Sequence, residues 1–187
     1  MSADTEQAAV DPAKHEVQFY RGDDELADRV SGYLAAALAA GKTAIVVATP
    51  EHRRAFEARL AAGCDIEAAR VRGSYIPLNA AELMSLVLIG DRPDRPSLDL
   101  VVGSLIRQAL AAGPAVSVYG EMVGLLWEAG HVGAAIELEV AWNDLGQDLR
   151  LSSLCGYRAQ LVAGPQHAAA RRELCSLHTA VAGLSAA

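Results

Sequence analysis

The residue best placed for chemistry in this sequence is Glu121, which closely follows a strongly apolar run at 115–119. That run is typical of a buried strand, and a second apolar stretch with helical character begins just after Glu121. In open α/β sheets, ligands bind just beyond the carboxyl ends of the strands. Glu121 is therefore predicted to act as a hydrogen-bonding or base-like group in a crevice. The alternative is a favourable negative charge at a helix N-terminus.

Two other connections are predicted to lie at the same edge of the sheet. Tyr20 and Arg21 end the first predicted strand, and Thr49 and His52 open the helix that follows the second. Three acidic residues at 23–25 would repel a triphosphate from the first of these connections. We expect the crevice to bind an uncharged or cationic small molecule. The alternative is that these side chains only cap helices and line surface turns.

Large side chains on either side of Glu121 are candidate walls for this crevice. Tyr119 precedes it, and Met122 and Trp127 follow it on the predicted helix. Large side chains at helical spacing lie more often in the core than against a ligand. The sequence leaves both roles open for these three residues.

Strand and helix patterns alternate along the chain. Continuous apolar runs such as 43–48 are typical of strands covered on both faces. The alternation predicts an α/β fold, a three-layer sandwich with a mostly parallel central sheet. The strands at 16–20, 43–48 and 115–119 are expected to be adjacent or nearly so. Two further strands are predicted at 74–78 and 151–157. Helices are predicted from the turn at 22–24 to Gly41, from Pro50 to Gly63, and at 80–89, 97–109, 121–129, 131–147 and 165–182.

The tripeptide Gly41-Lys42-Thr43 resembles the end of a phosphate-binding loop but does not fit one. That motif requires a glycine five residues before Gly41, where this chain has Ala36. It must also run from a strand into a helix, so that helix amides face the phosphate. Here the tripeptide is predicted to run from a helix into a strand. We expect a plain helix end, no ATPase activity and no tight nucleotide binding.

Composition limits the classes of partner. The 187 residues are 52% hydrophobic, which suits one domain of ordinary size, and the formal net charge is −7. An acidic chain is unsuited to nucleic acid or to anionic membrane surfaces. No apolar run is long enough to span a membrane, and residues 1–11 lack the pattern of a signal peptide. A cytoplasmic location is expected.

The cysteines and histidines give a weak metal signal. Three widely spaced cysteines do not form a disulfide framework. Cys175 and His178 lie three residues apart, which is at most half a metal site, and no second half with suitable spacing is evident. Cys155 is interpreted as a small buried hydrophobic residue. Neither a metal nor another cofactor is predicted.

Several separate stretches occur together in an order that resembles the MEDS family, the sensory domain of methanogens, methylotrophs and the dichloromethane-responsive regulator. The resemblance extends from about residue 15 to the final predicted helix. The stretches are HEVQFY at 15–20, ATPEHR at 48–53, YGEMV at 119–123 with Leu126 and Trp127, EVAWN at 139–143, LCGY at 154–157 and LCSLH at 174–178.

The resemblance implies a divergent RecA/KaiC-like P-loop fold without the phosphate-binding loop, and a role in sensing small molecules, with hydrocarbon derivatives proposed. Such domains are commonly joined to histidine-kinase, anti-sigma-type or DNA-binding output modules, which links them to signal transduction and transcription regulation. The 187 residues leave no room for such a module, so the signal is expected to pass in trans to a partner protein or within a homo-oligomer.

The expected organisation has three parts: a disordered segment at 1–14, the sensory domain at 15–164, and an amphipathic helix with a short tail at 165–187. On the final helix, Ala170, Leu174, Leu177 and Val181 share one apolar stripe. This stripe is expected to pack either on its own domain or on a second copy or signalling partner.

Three functions compete at this stage. The preferred function is a non-enzymatic small-molecule sensor. The second is a pure protein-interaction module without a ligand. The third is an enzyme on a degenerate nucleotide-binding scaffold, which would require a phosphate cradle or an activated nucleophile, and the sequence shows neither. Because a fold does not fix a function, the preference rests on the family resemblance.

Overall fold

The computed structural model describes residues 14–184. The segment predicted to be disordered lies outside these residues, apart from Lys14, which begins the first strand. Within the described range, no helix is long and apolar enough to cross a membrane.

Strands and helices alternate as the sequence pattern predicts. The strands are β1 Lys14–Tyr20, β2 Thr43–Ala48, β3 Tyr75–Asn79, β4 Leu88–Ile89, β5 Arg92–Pro93, β6 Val116–Gly120, β7 Ser152–Arg158 and β8 Ala180–Ala182. The α-helices are α1 Asp23–Ala39, α2 Pro50–Leu60, α3 Ile66–Val71, α4 Ala80–Val87, α5 Arg95–Leu98, α6 Ser104–Ala112, α7 Met122–Glu128, α8 Val132–Leu149, α9 Ala159–Val162 and α10 Ala168–Ser176. A π-helical turn, Asp99–Gly103, joins α5 to α6, and a 3₁₀ turn, Pro165–His167, precedes α10.

The central sheet has six strands in the order β3-β2-β6-β7-β1-β8, and every pairing in it is parallel. The predicted α/β sandwich is confirmed, with a wholly rather than mostly parallel sheet. Strands β2 and β6 are neighbours, and only β7 separates β6 from β1, as the prediction of adjacent or nearly adjacent strands requires. The short β4 and β5 form a separate antiparallel pair.

Helices cover both faces of the sheet, and strand β2 shows why. All six of its residues are buried. Ile45 and Val47 face the core beneath α4–α8, while Val46 faces the core beneath α1–α3. Successive side chains of a strand point to opposite faces, so a continuous apolar strand must be covered on both. Each fully buried aliphatic side chain contributes about 1.5–3 kcal/mol to this packing.

The strand order reverses between β2 and β6. The chain leaves β2 toward β3 on one side, whereas it leaves β6 toward β7 on the other. Such a switch point opens a crevice at the carboxyl ends of the two strands. The tripeptide 41–43 lies at the opposite edge, where α1 ends and β2 begins, with Gly41 at a φ of 71°. The predicted helix end at Gly41 is confirmed.

Three predicted helix boundaries need correction. The helix predicted at 80–89 ends at Val87, and residues 88–89 form β4. The helix predicted to start after Ser97 begins at Arg95, because the side chain of Asp94 accepts a hydrogen bond from the Ser97 amide and caps α5. The final helix does not reach 182. It ends at Ser176, and residues 180–182 instead pair with β1 as the edge strand β8.

The predicted apolar stripe of the final helix is therefore split. Leu174 is fully buried in the core of its own domain, which confirms packing there rather than on a partner. Val181 lies on β8 and is 43% exposed. Residues 170 and 177 are half-buried beside the same core. Among the polar residues of α10, Arg172 and Glu173 are exposed, whereas Arg171 is half-buried and donates a hydrogen bond to the Val162 carbonyl at 2.6 Å.

Candidate functional site

A cavity of about 250 Å³ opens at the switch point, above the carboxyl ends of β1, β2, β6 and β7. Its walls come from the first turns of α1 and α2 and from α7. The lining residues are Tyr20, Asp23, Thr49, Glu51, His52, Glu121, Gly124, Leu125, Glu128, Gly156 and Arg158.

Glu121 forms the floor of the cavity. Its side chain is only 4% exposed. One carboxylate oxygen accepts a hydrogen bond from the Thr49 amide, and the other lies 2.6 Å from Nδ1 of His52. Glu121 makes no capping hydrogen bond to its own helix, α7. Instead its side chain joins the end of β6 to the start of α2, while its position at the N-terminus of α7 stays compatible with the favourable helix-terminal charge considered from sequence.

Tyr119 supports this carboxylate from below. Its hydroxyl donates to Oε2 of Glu121 at 3.3 Å, and its ring is fully buried with its edge against Phe56. Burial and the nearby carboxylate of Glu121 raise the pKa of Tyr119 well above its usual value. Tyr119 therefore stays protonated and acts as a fixed hydrogen-bond donor.

His52 lies between two carboxylates. Its Nδ1 contacts Glu121, and its Nε2 lies 3.4 Å from Oδ1 of Asp23. The hydrogen bond to Glu121 raises the pKa of His52 and outweighs burial, which acts in the opposite direction. The charged imidazolium, which can donate from both nitrogens, is the form that this arrangement favours.

Arg158 and Asp23 form the rim. Arg158 donates to Oδ1 of Asp23 at 2.8 Å, and its guanidinium lies 5.4 Å from the centre of the Tyr20 ring. Burial raises the pKa of Asp23, but Arg158 and His52 outweigh it and lower that pKa overall. Burial raises the pKa of Tyr20 to about 12, although Arg158 acts against this shift. The rim thus combines a neutral phenol with paired charges.

Two glycines let the walls approach closely. A Cβ on Gly124 would lie 2.4 Å from the carbonyl oxygen of Gly156, and a Cβ on Gly156 would lie 2.6 Å from the hydroxyl of Tyr119. Any larger side chain would push α7 away from β7 or displace the Tyr119 hydroxyl from Glu121. The two glycines therefore permit the close packing of α7 on β7 and of Tyr119 beneath Glu121.

The structure places some predicted site residues together and others elsewhere. Tyr20, Thr49, His52 and Glu121 line the cavity, and Tyr119 lies directly beneath it. The other three predicted residues, which are outside the lining, are Arg21, Met122 and Trp127.

Each of these three has a clear location. Arg21 is exposed, and its amide donates to Glu25 at the start of α1. Met122 is buried on the opposite side of the sheet, in the core beneath α8. Trp127 belongs to the same core, where its indole NH donates to the Leu161 carbonyl at 3.3 Å. Helix α7 begins immediately after Glu121, so its successive side chains point in different directions.

Sequence reasoning missed Arg158 and Glu128 and used Asp23 only as a charge. Arg158 is the last residue of β7, so the rule that places ligands at strand ends would have found it. Glu128 ends α7 and lies 3.8 Å from Arg158. No local signal identifies it, because only the packing of α7 over β7 brings it to the cavity.

The cavity is suited to holding a small polar group. Its lining carries the carboxylates of Asp23, Glu51, Glu121 and Glu128 against one guanidinium and one imidazole. No serine, cysteine or lysine occurs among the lining residues that the structure describes. A donor set suited to a metal lies away from this cavity, around Glu139 in the core.

The fold and the site first define a class, an α/β protein with a polar crevice at the switch point of a parallel sheet. The sequence matches the profile of the MEDS family, described as MEthanogen/methylotroph, DcmR Sensory domain, over residues 14–179. The match covers most of the chain, which therefore belongs to the MEDS family of sensory domains, as the resemblance predicted. A search of curated proteins finds no match to the chain. The further likeness to RecA and KaiC stays a prediction.

Proposed function

We propose that this protein is a non-enzymatic sensor that binds a small organic molecule in the cavity above Glu121 and passes the signal to a protein partner. The family supports a sensory role. The single observation that carries the ligand site is the buried carboxylate of Glu121, held at the switch point by Thr49, His52 and Tyr119. A cytosolic location belongs to the same proposal.

The chemistry of the lining indicates the class of ligand. Four carboxylates face the cavity against Arg158 and His52, so an anionic ligand such as a phosphate ester would be repelled. A neutral or cationic molecule that donates a hydrogen bond, such as a small alcohol or amine, fits better. The volume of about 250 Å³ lies below the usual range of drug-sized pockets, which also favours a small hydrocarbon derivative.

A binding role is preferred over catalysis because His52 is poorly suited to act as a base. Both of its ring nitrogens face carboxylates, at 2.6 Å and 3.4 Å, and the contact with Glu121 favours its charged form. A general base needs a free nitrogen within hydrogen-bond reach of the proton that it removes. The same contacts make His52 a stable link between α1, α2 and β6.

The cavity also offers a route from ligand to protein surface. Its walls are the first turns of α1 and α2 and the length of α7. His52 on α2 connects them, because it contacts Asp23 on α1 and Glu121 at the start of α7. A ligand that competes for these hydrogen bonds would weaken the contacts that hold α1 and α2 against the end of β6. The helices could then shift relative to the sheet. We propose that a partner protein or a second copy reads this change in trans.

The ligand proposal is tested with purified, tag-free protein. Native mass spectrometry detects any co-purified small molecule, and a thermal-shift panel of small alcohols, amines and halogenated hydrocarbons provides defined probes. We expect at least one probe to raise the melting temperature of the wild type but not of Glu121→Gln. Glu67→Gln, which changes an exposed carboxylate on α3, is the matched control and should respond like the wild type. Equal responses of the wild type and Glu121→Gln would place binding elsewhere.

A pure protein-interaction module is the second candidate, and exposed apolar side chains favour it. Leu86 on α4 is 58% exposed, and Ile89 on β4 and Leu100 on the π-helical turn are each 71% exposed. If no probe binds and no molecule co-purifies, this function becomes preferred. Light scattering of the wild type and Ile89→Ser then tests whether this surface mediates association.

A further inference from the structure

Four side chains with metal-binding atoms meet inside the core, away from the cavity. They come from four separate parts of the chain: His15 on β1, Glu139 on α8, Cys155 on β7, and His178 just after α10. One ligand atom from each lies within 4.8 Å of all the others. From sequence, His178 was considered only with Cys175, which is not part of this group.

The distances between the ligand atoms fit tetrahedral coordination. Oε2 of Glu139 lies 3.2 Å from Nε2 of His15, 3.5 Å from Nε2 of His178 and 3.4 Å from Sγ of Cys155. Nε2 of His15 also lies 3.4 Å from Sγ of Cys155. Zinc bonds of about 2.0–2.3 Å to nitrogen, oxygen and sulfur place tetrahedral neighbours roughly 3.3–3.8 Å apart. Four of the six edges are therefore close to those of a bound zinc ion.

Burial and charge point to the same ion. The side chains of Glu139 and His178 are fully buried, and those of His15 and Cys155 nearly so. Charged groups are stable in a core only when they are compensated. One carboxylate and one thiolate would neutralise a divalent cation, and two neutral imidazoles would complete its coordination. The mixture of imidazole and thiolate favours zinc over magnesium or calcium.

Neighbouring hydrogen bonds orient the ligand atoms. Nδ1 of His178 lies 2.8 Å from the Leu174 carbonyl, which fixes the proton on Nδ1 and leaves the Nε2 lone pair free. That Nε2 is buried and makes no hydrogen bond within the described residues, although it points at Glu139. The Tyr157 hydroxyl donates to Oε1 of Glu139 at 2.7 Å, which leaves Oε2 for the ion. Such outer contacts are typical of protein metal sites.

We propose that His15, Glu139, Cys155 and His178 bind one zinc ion in a closed structural site. When the zinc–sulfur bond forms, the Cys155 thiol releases its proton to solvent. All four positions are filled by protein, as in structural rather than catalytic zinc sites. The ion would join the C-terminal segment to β1, β7 and α8, adding to the hydrogen bonds that Thr179 makes with His15 at 2.6 Å and 2.9 Å.

Cobalt substitution tests this site directly. Full-length, tag-free protein is treated with a chelator, dialysed and titrated with Co²⁺. We expect one equivalent to produce the intense visible bands of tetrahedral cobalt and a thiolate-to-cobalt charge-transfer band in the near ultraviolet. Cys155→Ala should lose the charge-transfer band. Cys175→Ala removes a nearby half-buried thiol outside the cluster and should keep it.

Zinc binding should also stabilise the fold. Saturating Zn²⁺ is expected to raise the melting temperature of the chelator-treated wild type by roughly 5–10 °C, since a ligand that binds only the native state stabilises it. The same shift should appear in Cys175→Ala and be lost in His178→Gln.

The wild-type titration decides the question even if a cluster variant fails to fold. Octahedral cobalt spectra without a thiolate band, together with an unchanged melting temperature, would mean adventitious binding to surface carboxylates and would overturn the proposal. So would a charge-transfer band that persists in folded Cys155→Ala.

Discussion

Oε2 of Glu121 lies 2.6 Å from Nδ1 of His52, and this contact joins the end of β6 to the first turn of α2. The two residues are 69 positions apart in the chain, and the switch in strand order is what makes them neighbours. Because Glu121 is 4% exposed and His52 is 12% exposed, solvent weakens the pair little. This contact and the cavity walls around it lead to three predictions, and the buried side chain of Leu174 on α10 leads to a fourth.

Replacing Glu121 with glutamine should destabilise the protein by about 2 kcal/mol, because the amide nitrogen cannot accept the hydrogen bonds that both carboxylate oxygens now accept. The free energy of unfolding in urea measures this. Glu128→Gln is the matched control, since its half-exposed carboxylate lies 3.8 Å from Arg158 and contributes less than about 1 kcal/mol. An equal loss in both variants would contradict the special role of Glu121.

The pH dependence of stability should reveal His52. Its folded pKa is raised above the unfolded value, mainly by the hydrogen bond to Glu121. The stabilisation that this provides is fully present below the unfolded pKa and is lost as the pH rises through the folded pKa. The stability difference between the wild type and His52→Gln should therefore shrink between weakly acidic and weakly alkaline pH. A pH-independent difference for His52→Gln would count against the pairing.

Adding a methyl group at either close glycine should disturb the cavity. Gly156→Ala is expected to cost about 1–3 kcal/mol and to displace the Tyr119 hydroxyl, whereas Gly124→Ala meets a backbone carbonyl and should cost more. Gly32→Ala, on the open surface of α1, should instead stabilise the protein by about 0.5–1 kcal/mol. Thermal unfolding of the three variants gives the comparison. Neutral substitutions at 124 and 156 would show that the walls are less closely packed.

Helix α10 is expected to stabilise its own domain and not to serve as an interface with a partner. Leu174→Ala removes a fully buried side chain and should cost about 2–5 kcal/mol. Val181→Ala, at a position that is 43% exposed on β8, should cost less than about 1 kcal/mol. Urea unfolding measures both changes. A stable Leu174→Ala variant that only loses self-association would instead revive the interface role considered for this stripe.

The sheet could be predicted from sequence because its strands are strongly marked. The apolar run at 43–48 is typical of a strand covered on both faces, and the run at 115–119 that forms β6 shows a similar pattern. The edge strand β8 could not be predicted in this way. Its three residues are exposed, and the apolar spacing through Leu174 and Val181 also fits a helix.

The candidate site was predictable only where the strand-end rule applies. Glu121, Thr49 and Tyr20 each lie at or just after a strand end, and each contributes to the cavity. Met122 and Trp127 lie outside the cavity, because the direction in which a helix projects each side chain, and not its distance along the chain, decides which side chains face a crevice. The cluster of His15, Glu139, Cys155 and His178 could not be predicted from sequence, because its residues come from four separate segments that meet only in the folded chain.

The pairing of β1 with β7 has a consequence for synthesis of the protein. His15 and Cys155, which lie on these strands, are 140 residues apart in the chain. Strand β1 cannot pair with either of its neighbours, β7 and β8, until the long segment between them has been synthesised. Such non-local contacts slow folding and leave apolar strands exposed in the meantime. The apolar side chains of β1 are therefore expected to stay unpaired in the nascent chain until β7 has been made.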